Sequence, residues 1–329
     1  MSRGSASPAE LLAGATAGDR ASLARVLSLI ERGGDPARAV ARALDGAGDR
    51  AYTVGITGSP GAGKSTLTNA LLGVIRADDQ RVAVLAVDPS SPFTGGAILG
   101  DRVRMGDHTL DDAVFIRSMA TRGHLGGLAV AAPEAVRVLG SAGFHWVLVE
   151  TVGVGQVEVE VAGQTDTTLV VVNPGWGDAV QAAKAGLMEI ADVFVVNKAD
   201  RPGAAEAEGD LRRVLDLSGS SGNSAGAGDG VEDGWRPPIV RTSAPTGEGV
   251  ADVWAAVRQH RDHLASSGGL VERRRRRAAD EITRLVGVRL LETAREVTSG
   301  DRAAELAEAV VRGEIDPWTA ADELLAARP

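Results

Sequence analysis

The 329-residue sequence predicts an α/β fold, a mostly parallel, doubly wound sheet with helical extensions at both ends. Two observations carry this. Between residues 51 and 265, short and near-continuous apolar runs alternate with helix-length segments, the texture of parallel strands covered on both faces. On either side, residues 8–46 and 270–329 carry helical spacing instead.

Ser7-Pro8 opens the first helix as an N-cap followed by proline at the first turn. Leu11, Leu12, Leu23, Val26, Leu27, Leu29 and Ile30 then form one apolar stripe, which Gly33-Gly34-Asp35-Pro36 interrupts before helix resumes. Strands are expected over 52–57, 81–87, 112–117, 146–150, 168–173, 193–197 and 238–242. Helices are expected over 66–76, 133–142, 179–190 and 249–265. The low-complexity run 218–234 reads as a flexible insertion. Near the C-terminus, Asp301 and Asp316-Pro317 mark helix starts, and Gly300 and Gly313 mark stops. The expected organisation is a helical extension over 1–48, an α/β domain over 49–265, and a helical region over 266–329. The apolar residues of that last region (Leu285, Val286, Val288, Leu290, Leu291, Leu306, Val310, Val311) suit either dimerisation or packing on their own core.

Aromatic residues are only 3% of the chain, so the core is built from aliphatic side chains. A net charge of −9 argues against a general nucleic-acid binder. The basic run Arg273 to Arg277 reads as a solvated helix face, with a local anion site as the alternative. The chain has no cysteine, which excludes disulfides and thiolate metal sites and fits a reducing cytoplasm. No secretory signal and no membrane-spanning stretch is evident, so a cytoplasmic protein is expected.

The segment Gly58-Ser-Pro-Gly61-Ala62-Gly63-Lys64-Ser65 fits the pattern G-x-x-x-x-G-K-[ST] and lies between a strand and a helix that begins near Thr66. Glycines let the backbone curl so that successive N–H groups face phosphate oxygens, and the helix N-terminus adds a positive dipole end. Lys64 is placed to reach the β- and γ-phosphates, and Ser65 to ligate Mg²⁺.

About 130 residues on, an apolar strand ends in Asn197-Lys198-Ala199-Asp200, an N-K-x-D element. Guanine offers N1–H and N2–H₂ donors that one carboxylate accepts as a pair, and adenine does not. Asp200 suits that role, with Asn197 supporting the loop or meeting the base and the Lys198 stem covering the ring. Ser243 and Ala244, after another strand, offer a backbone N–H for the guanine carbonyl oxygen.

Asp88, Asp101 and Glu150 compete for the metal, and each could instead cap a helix or pair with Arg102, Arg104 or Arg117. One or two carboxylates suffice for Mg²⁺, which keeps several waters. Glu150-Thr-Val-Gly153 is similar to the D-x-x-G element of GTPases, with Gly153 placed to donate its N–H to the γ-phosphate. Val154 follows where a water-orienting glutamine would stand, so slow intrinsic hydrolysis raised by a partner is expected.

Together GSPGAGKST (58–66), DPSSPFTGGAILGDRVRM (88–105), ETVGVGQVEVE (150–160) and NPGWGDAVQAAKAGLMEIADVFVVNKAD (173–200) resemble the MeaB/ArgK-type GTPases. The resemblance covers about residues 8–329. It implies a homodimeric, GTP-dependent chaperone of methylmalonyl-CoA mutase or a related adenosylcobalamin-dependent acyl-CoA mutase, gating cofactor delivery and protecting or rescuing the mutase. It places Asp88, Asp101 and Glu150 in metal and switch loops, and Gly177, Asp178 and Lys184 in a further segment that answers partner binding. Trp176, between two glycines, and the long insertion depart from the family pattern. The runner-up readings are a nickel metallochaperone GTPase, which would normally carry Cys/His clusters, and a transport-associated kinase or ATPase, against which Asp200 argues.

Overall fold

The computed structural model describes residues 6–44, 51–88, 108, 110–120, 127–151, 164–175, 189–220 and 234–326. Seven strands make one parallel sheet: β1 (Tyr52–Gly58), β2 (Val82–Asp88), β3 (Val114–Ala120), β4 (Trp146–Thr151), β5 (Thr167–Val172), β6 (Val193–Asn197) and β7 (Ile239–Thr242). Their spatial order is β3-β2-β4-β1-β5-β6-β7. Every expected strand is present, and the sheet is parallel throughout. After β1 the chain builds β2, β3 and β4 to one side and β5 to β7 to the other. The C-terminal end of β1 is therefore the point where the winding reverses, the place where open α/β sheets hold ligands.

The helices are α1 (Pro8–Thr16), α2 (Arg20–Arg32), α3 (Gly34–Ala43), α4 (Lys64–Ala77), α5 (Gly127–Ser141), α6 (Ala204–Ser220), α7 (Val250–Ser267), α8 (Gly269–Thr298), α9 (Asp301–Val311) and α10 (Pro317–Ala326). Strand alternation sends Val54, Ile56, Leu148, Leu169 and Val195 to one face, where α4 and α7 cover them. The opposite face turns Leu85, Phe115, Met119 and Val149 toward α1, α2 and α5, while Val170, Phe194 and Val196 meet α6.

Ser7 begins α1 as the sequence suggests. Its hydroxyl accepts from Glu10 N, and the Glu10 carboxylate accepts from Ser7 N at 2.8 Å, a reciprocal capping box. Leu23, Val26, Leu27 and Ile30 of α2 are buried against the sheet, and Arg117 of β3 ties the helix down through Glu31 at 3.0 Å. Thus the N-terminal extension is part of the sheet's own cover.

Two expectations about the helices change. The helix expected from Pro133 begins at Gly127, so the proline lies inside α5 rather than opening it. Burial of Ala131, Ala132, Ala135 and Val138 against the sheet offsets the missing N–H. No helix was expected before the low-complexity run, yet α6 fills that stretch and takes in Ser218–Ser220. Its Glu208 is buried with Arg241 at 2.6 Å, which hides an acidic position on an otherwise apolar face. The expected helix over 179–190 lies almost wholly outside the described residues, as does 221–233 of the insertion.

The basic run is also not a solvated face. Arg273 grips Asp192 with two bonds, Nη1–Oδ2 at 3.0 Å and Nη2–Oδ1 at 2.8 Å. Arg274 grips Asp166 the same way, at 3.1 and 2.8 Å. Both carboxylates are buried at the N-terminal ends of β6 and β5, so the root of α8 is pinned to the end of the sheet opposite the β1 loop. Arg275 and Arg276 instead pair with Glu272 of their own helix.

His260 is fully buried in the same network, its Nδ1 2.8 Å from Thr167 Oγ1 and its ring against Trp235. Burial pushes its pKa down to about 4, because the nearby Asp192 charge is already shared with Arg273. The unfolded chain protonates near pH 6.5 while the folded imidazole stays neutral. Stability is therefore fully present above pH 6.5 and falls by about 3 kcal/mol as pH drops to about 4. Unfolding free energies at pH 7.5 and 4.5 should show a shallower pH slope in His260→Gln; equal slopes would refute this assignment.

The chain divides into two compact units, residues 1–276 and 277–329. Within the second, α9 and α10 form a hairpin that buries Leu306 and Ala320 and pairs Arg302 with Glu323 at 2.7 Å. Gly313, at φ 75°, stops the first of these helices, and Asp316 caps the second by accepting from Trp318 N and Thr319 N. Helix α8 carries no buried residue among the described residues, and its Leu285, Val286, Leu290 and Leu291 are exposed.

Candidate nucleotide site

The loop after β1 is built to curl. Gly58 takes φ 131°, and a Cβ there would stand 2.0 Å from the Val171 carbonyl oxygen of β5. Gly63 takes φ 92°, with Asn197 Nδ2 only 2.5 Å from where its Cβ would be. Neither position admits a side chain. Between them Gly61 (φ 69°) is exposed, Ala62 is buried, and Ala62 N donates to Ser59 O. Gly58→Ala should cost about 3 kcal/mol of stability in urea unfolding, since backbone blocks the new methyl. A loss below about 1 kcal/mol would show that the strand pair yields more easily than this geometry implies.

Helix α4 starts at Lys64 with no side-chain cap, which leaves the first-turn N–H groups at Lys64, Ser65 and Thr66 for a ligand. The Lys64 ammonium is buried and folds back over the loop, donating to Gly58 O at 2.7 Å and Ser59 O at 3.2 Å. Ser65 Oγ donates to Glu150 Oε1. Glu150, wholly buried, lies near the end of β4 immediately beside β1, so two residues 85 apart in sequence meet at one point. A hydroxyl and a carboxylate here form a hard-oxygen donor set of the kind Mg²⁺ takes. Asp88 ends β2, next to β4 in the sheet. Asp101, Gly153, Gly177, Asp178 and Lys184 lie outside the described residues.

On the other side of β1, Asn197 fastens three elements together. Its amide nitrogen donates to Ala62 O at 2.7 Å, and its oxygen accepts from Thr242 Oγ1 at 3.0 Å and Ala244 N at 3.2 Å. Lys198, at φ 59°, extends its ammonium to Gly61 O at 2.5 Å. Asp200 is exposed at the end of this loop. The Ser243 N–H is taken by Glu248 O at 3.0 Å, so of the two expected backbone donors only Ala244 N remains, shared with Asn197. The phosphate loop, the N-K-x-D loop and the β7 turn thus form one connected rim.

The family model for "Methylmalonyl Co-A mutase-associated GTPase MeaB" matches residues 23–299, which include this whole rim. The chain belongs to the MeaB family of GTPases. Similar to this MeaB-family GTPase is a provisionally named GTPase of Pyrococcus abyssi, 46% identical over 317 residues, covering 96% of this chain and 95% of that one. GTPase ArgK of Escherichia coli is 37% identical over 268 residues, covering 80% and 78%. A crystal structure described as a LAO/AO transport system kinase superposes with a TM-score of 0.66 at 26% identity, covering 97% of this chain and 96% of the other. Among the described residues of the MeaB-family chain, no three His, Asp or Glu side chains converge as a metal site, and no helix is long and apolar enough to cross a membrane.

Proposed function

We propose that this GTPase is a nucleotide-gated chaperone of an adenosylcobalamin-dependent acyl-CoA mutase of the methylmalonyl-CoA type, gating cofactor delivery and protecting or reactivating the mutase. The observation that carries the reading is the family match over residues 23–299, which takes in the phosphate loop, Glu150 and the guanine element in one stretch.

Gly58 to Thr66 would cradle the α- and β-phosphates through backbone N–H groups, with Lys64 swinging from the loop carbonyls to the β- and γ-phosphates. Asp200 would accept from guanine N1–H and N2–H₂, Lys198 would cover the ring, and Ala244 N would share its proton with the guanine carbonyl oxygen. Ser65 and Glu150, with Asp88 and Asp101, are the oxygen donors we assign to Mg²⁺, which when bound neutralises charge on the phosphoryl group. Gly153 N–H would meet the γ-phosphate. The segment holding Gly177, Asp178 and Lys184 would answer the partner.

A partner is needed for fast turnover, because Val154 follows Gly153 and cannot orient water. The exposed apolar residues of α8 support a homodimer built through the 266–329 region. A cysteine-free chain is compatible with the reducing cytoplasm, the compartment we assign to it.

Single-turnover GTP hydrolysis with and without a methylmalonyl-CoA mutase tests the reading. The mutase should accelerate hydrolysis at least tenfold, and co-purification should differ between GDP and a non-hydrolysable GTP analogue. No acceleration together with no nucleotide-dependent association would reject the chaperone role. ATP binding as tight as GTP would instead favour a kinase or ATPase.

A further inference from the structure

A cavity of about 510 Å³ opens at the end of the sheet opposite the phosphate loop. Its floor is the start of β2 at Arg81, the residue before β3 (Ala113), and the turn from α5 into β4 (Ala142 and Phe144). Its wall is the α1–α2 turn, with Gly18, Arg20 and Leu23, and the exposed Asp112 lies at its rim. The size lies within the range of small-molecule pockets.

Two guanidinium groups line it, and both are fixed in place. Arg20 donates to the carbonyls of Asp111, Asp112 and Val114, the last at 2.9 Å, and lies over the Phe115 ring. Arg81 donates to Ala142 O at 3.1 Å and lies 4.6 Å over the Phe144 ring. Their charges are unequally matched. Arg20 has Asp112 at 3.7 Å, on a fully exposed side chain. Asp111, the other acid of that loop, is occupied by Arg76 Nε at 2.7 Å and Ala113 N at 2.9 Å. Among the described residues no carboxylate pairs with Arg81. A preset guanidinium without an acid of its own, in a cavity where aliphatic side chains stand beside polar ones, is an arrangement for one incoming carboxylate.

We propose that this cavity is a second ligand site, separate from the nucleotide site, for a small amphiphilic monoanion. Its carboxylate meets Arg81 and Arg20, and its apolar body lies against Leu23, Ala113 and Ala142. Strands β2 and β4 run the length of the sheet between the two sites, so occupancy does not compete with GTP or GDP.

The test uses the full chain saturated with GDP, titrated with octanoate or with inorganic phosphate and followed by backbone amide NMR. Octanoate should shift the Gly18 and Ala113 amides saturably, and phosphate should not. Arg81→Met should weaken octanoate at least tenfold. Ala113→Leu, which fills the cavity and keeps both arginines, should abolish the shifts with melting unchanged. The assignment is overturned if octanoate gives no saturable shift there, if phosphate matches it, or if both folded variants bind octanoate as the parent does.

Discussion

Lys64→Ala should lower single-turnover GTP hydrolysis by about a thousandfold, the scale on which enzymes lose a preorganised group aimed at developing charge. Lys64 is buried among phosphate-loop carbonyls, with Gly58 O at 2.7 Å, so its ammonium is held within the loop before any ligand arrives. Little reorganisation is then needed when a γ-phosphate offers a better acceptor. The alanine variant loses both the charge and a tether of the loop. Lys64→Arg separates the two, because it keeps the charge while the larger planar group fits the curl poorly. Arginine should recover nucleotide affinity in part and hydrolysis hardly at all. Alanine hydrolysis within tenfold of the parent, in a chain with unchanged melting, would mean that Lys64 serves only the loop.

Asp200→Asn should lower GTP affinity by about a hundredfold and raise affinity for xanthosine triphosphate. A carboxylate only accepts, which matches the two donors of guanine. An amide accepts once and donates once, which matches the N1–H donor and the C2 carbonyl of xanthine. A mismatched pair leaves a donor or acceptor unsatisfied, at about 1–3 kcal/mol each. The fold should tolerate the change, since Asp200 is exposed at the loop end while neighbouring Asn197 and Lys198 carry the structural bonds to Ala62 and Gly61. Competition binding with the two triphosphates decides it, and an unchanged preference for GTP would remove Asp200 from base recognition.

Much of the site was legible because its parts are local. Curled glycines, an uncapped helix start and a loop at a strand end each lie within a few residues, and each leaves a short pattern. The cross-links were not legible in this way. Asn197 was expected to support its loop or meet the base, and the structure shows it joining Ala62 to Thr242 and Ala244. Only strand order brings those partners together. The arginine run misled for the same reason. Five consecutive cations suggest solvent, and nothing nearby in sequence says that Asp166 and Asp192 wait at the ends of two strands.

Taken alone, the amino-acid order determined the seven strands, the curled glycine loop and the N-K-x-D loop, because apolar periodicity and backbone permissiveness are properties of neighbours along the chain. Tertiary structure decided that Glu150 stands beside Ser65, that Arg273 and Arg274 are half-buried and paired with buried carboxylates rather than solvated, and that a cavity with an acid-free arginine exists at the far end of the sheet. Those features depend on which strands lie side by side and which ends they bring together. Charge and hydrogen-bond pairing act through space, between residues that the chain itself holds far apart.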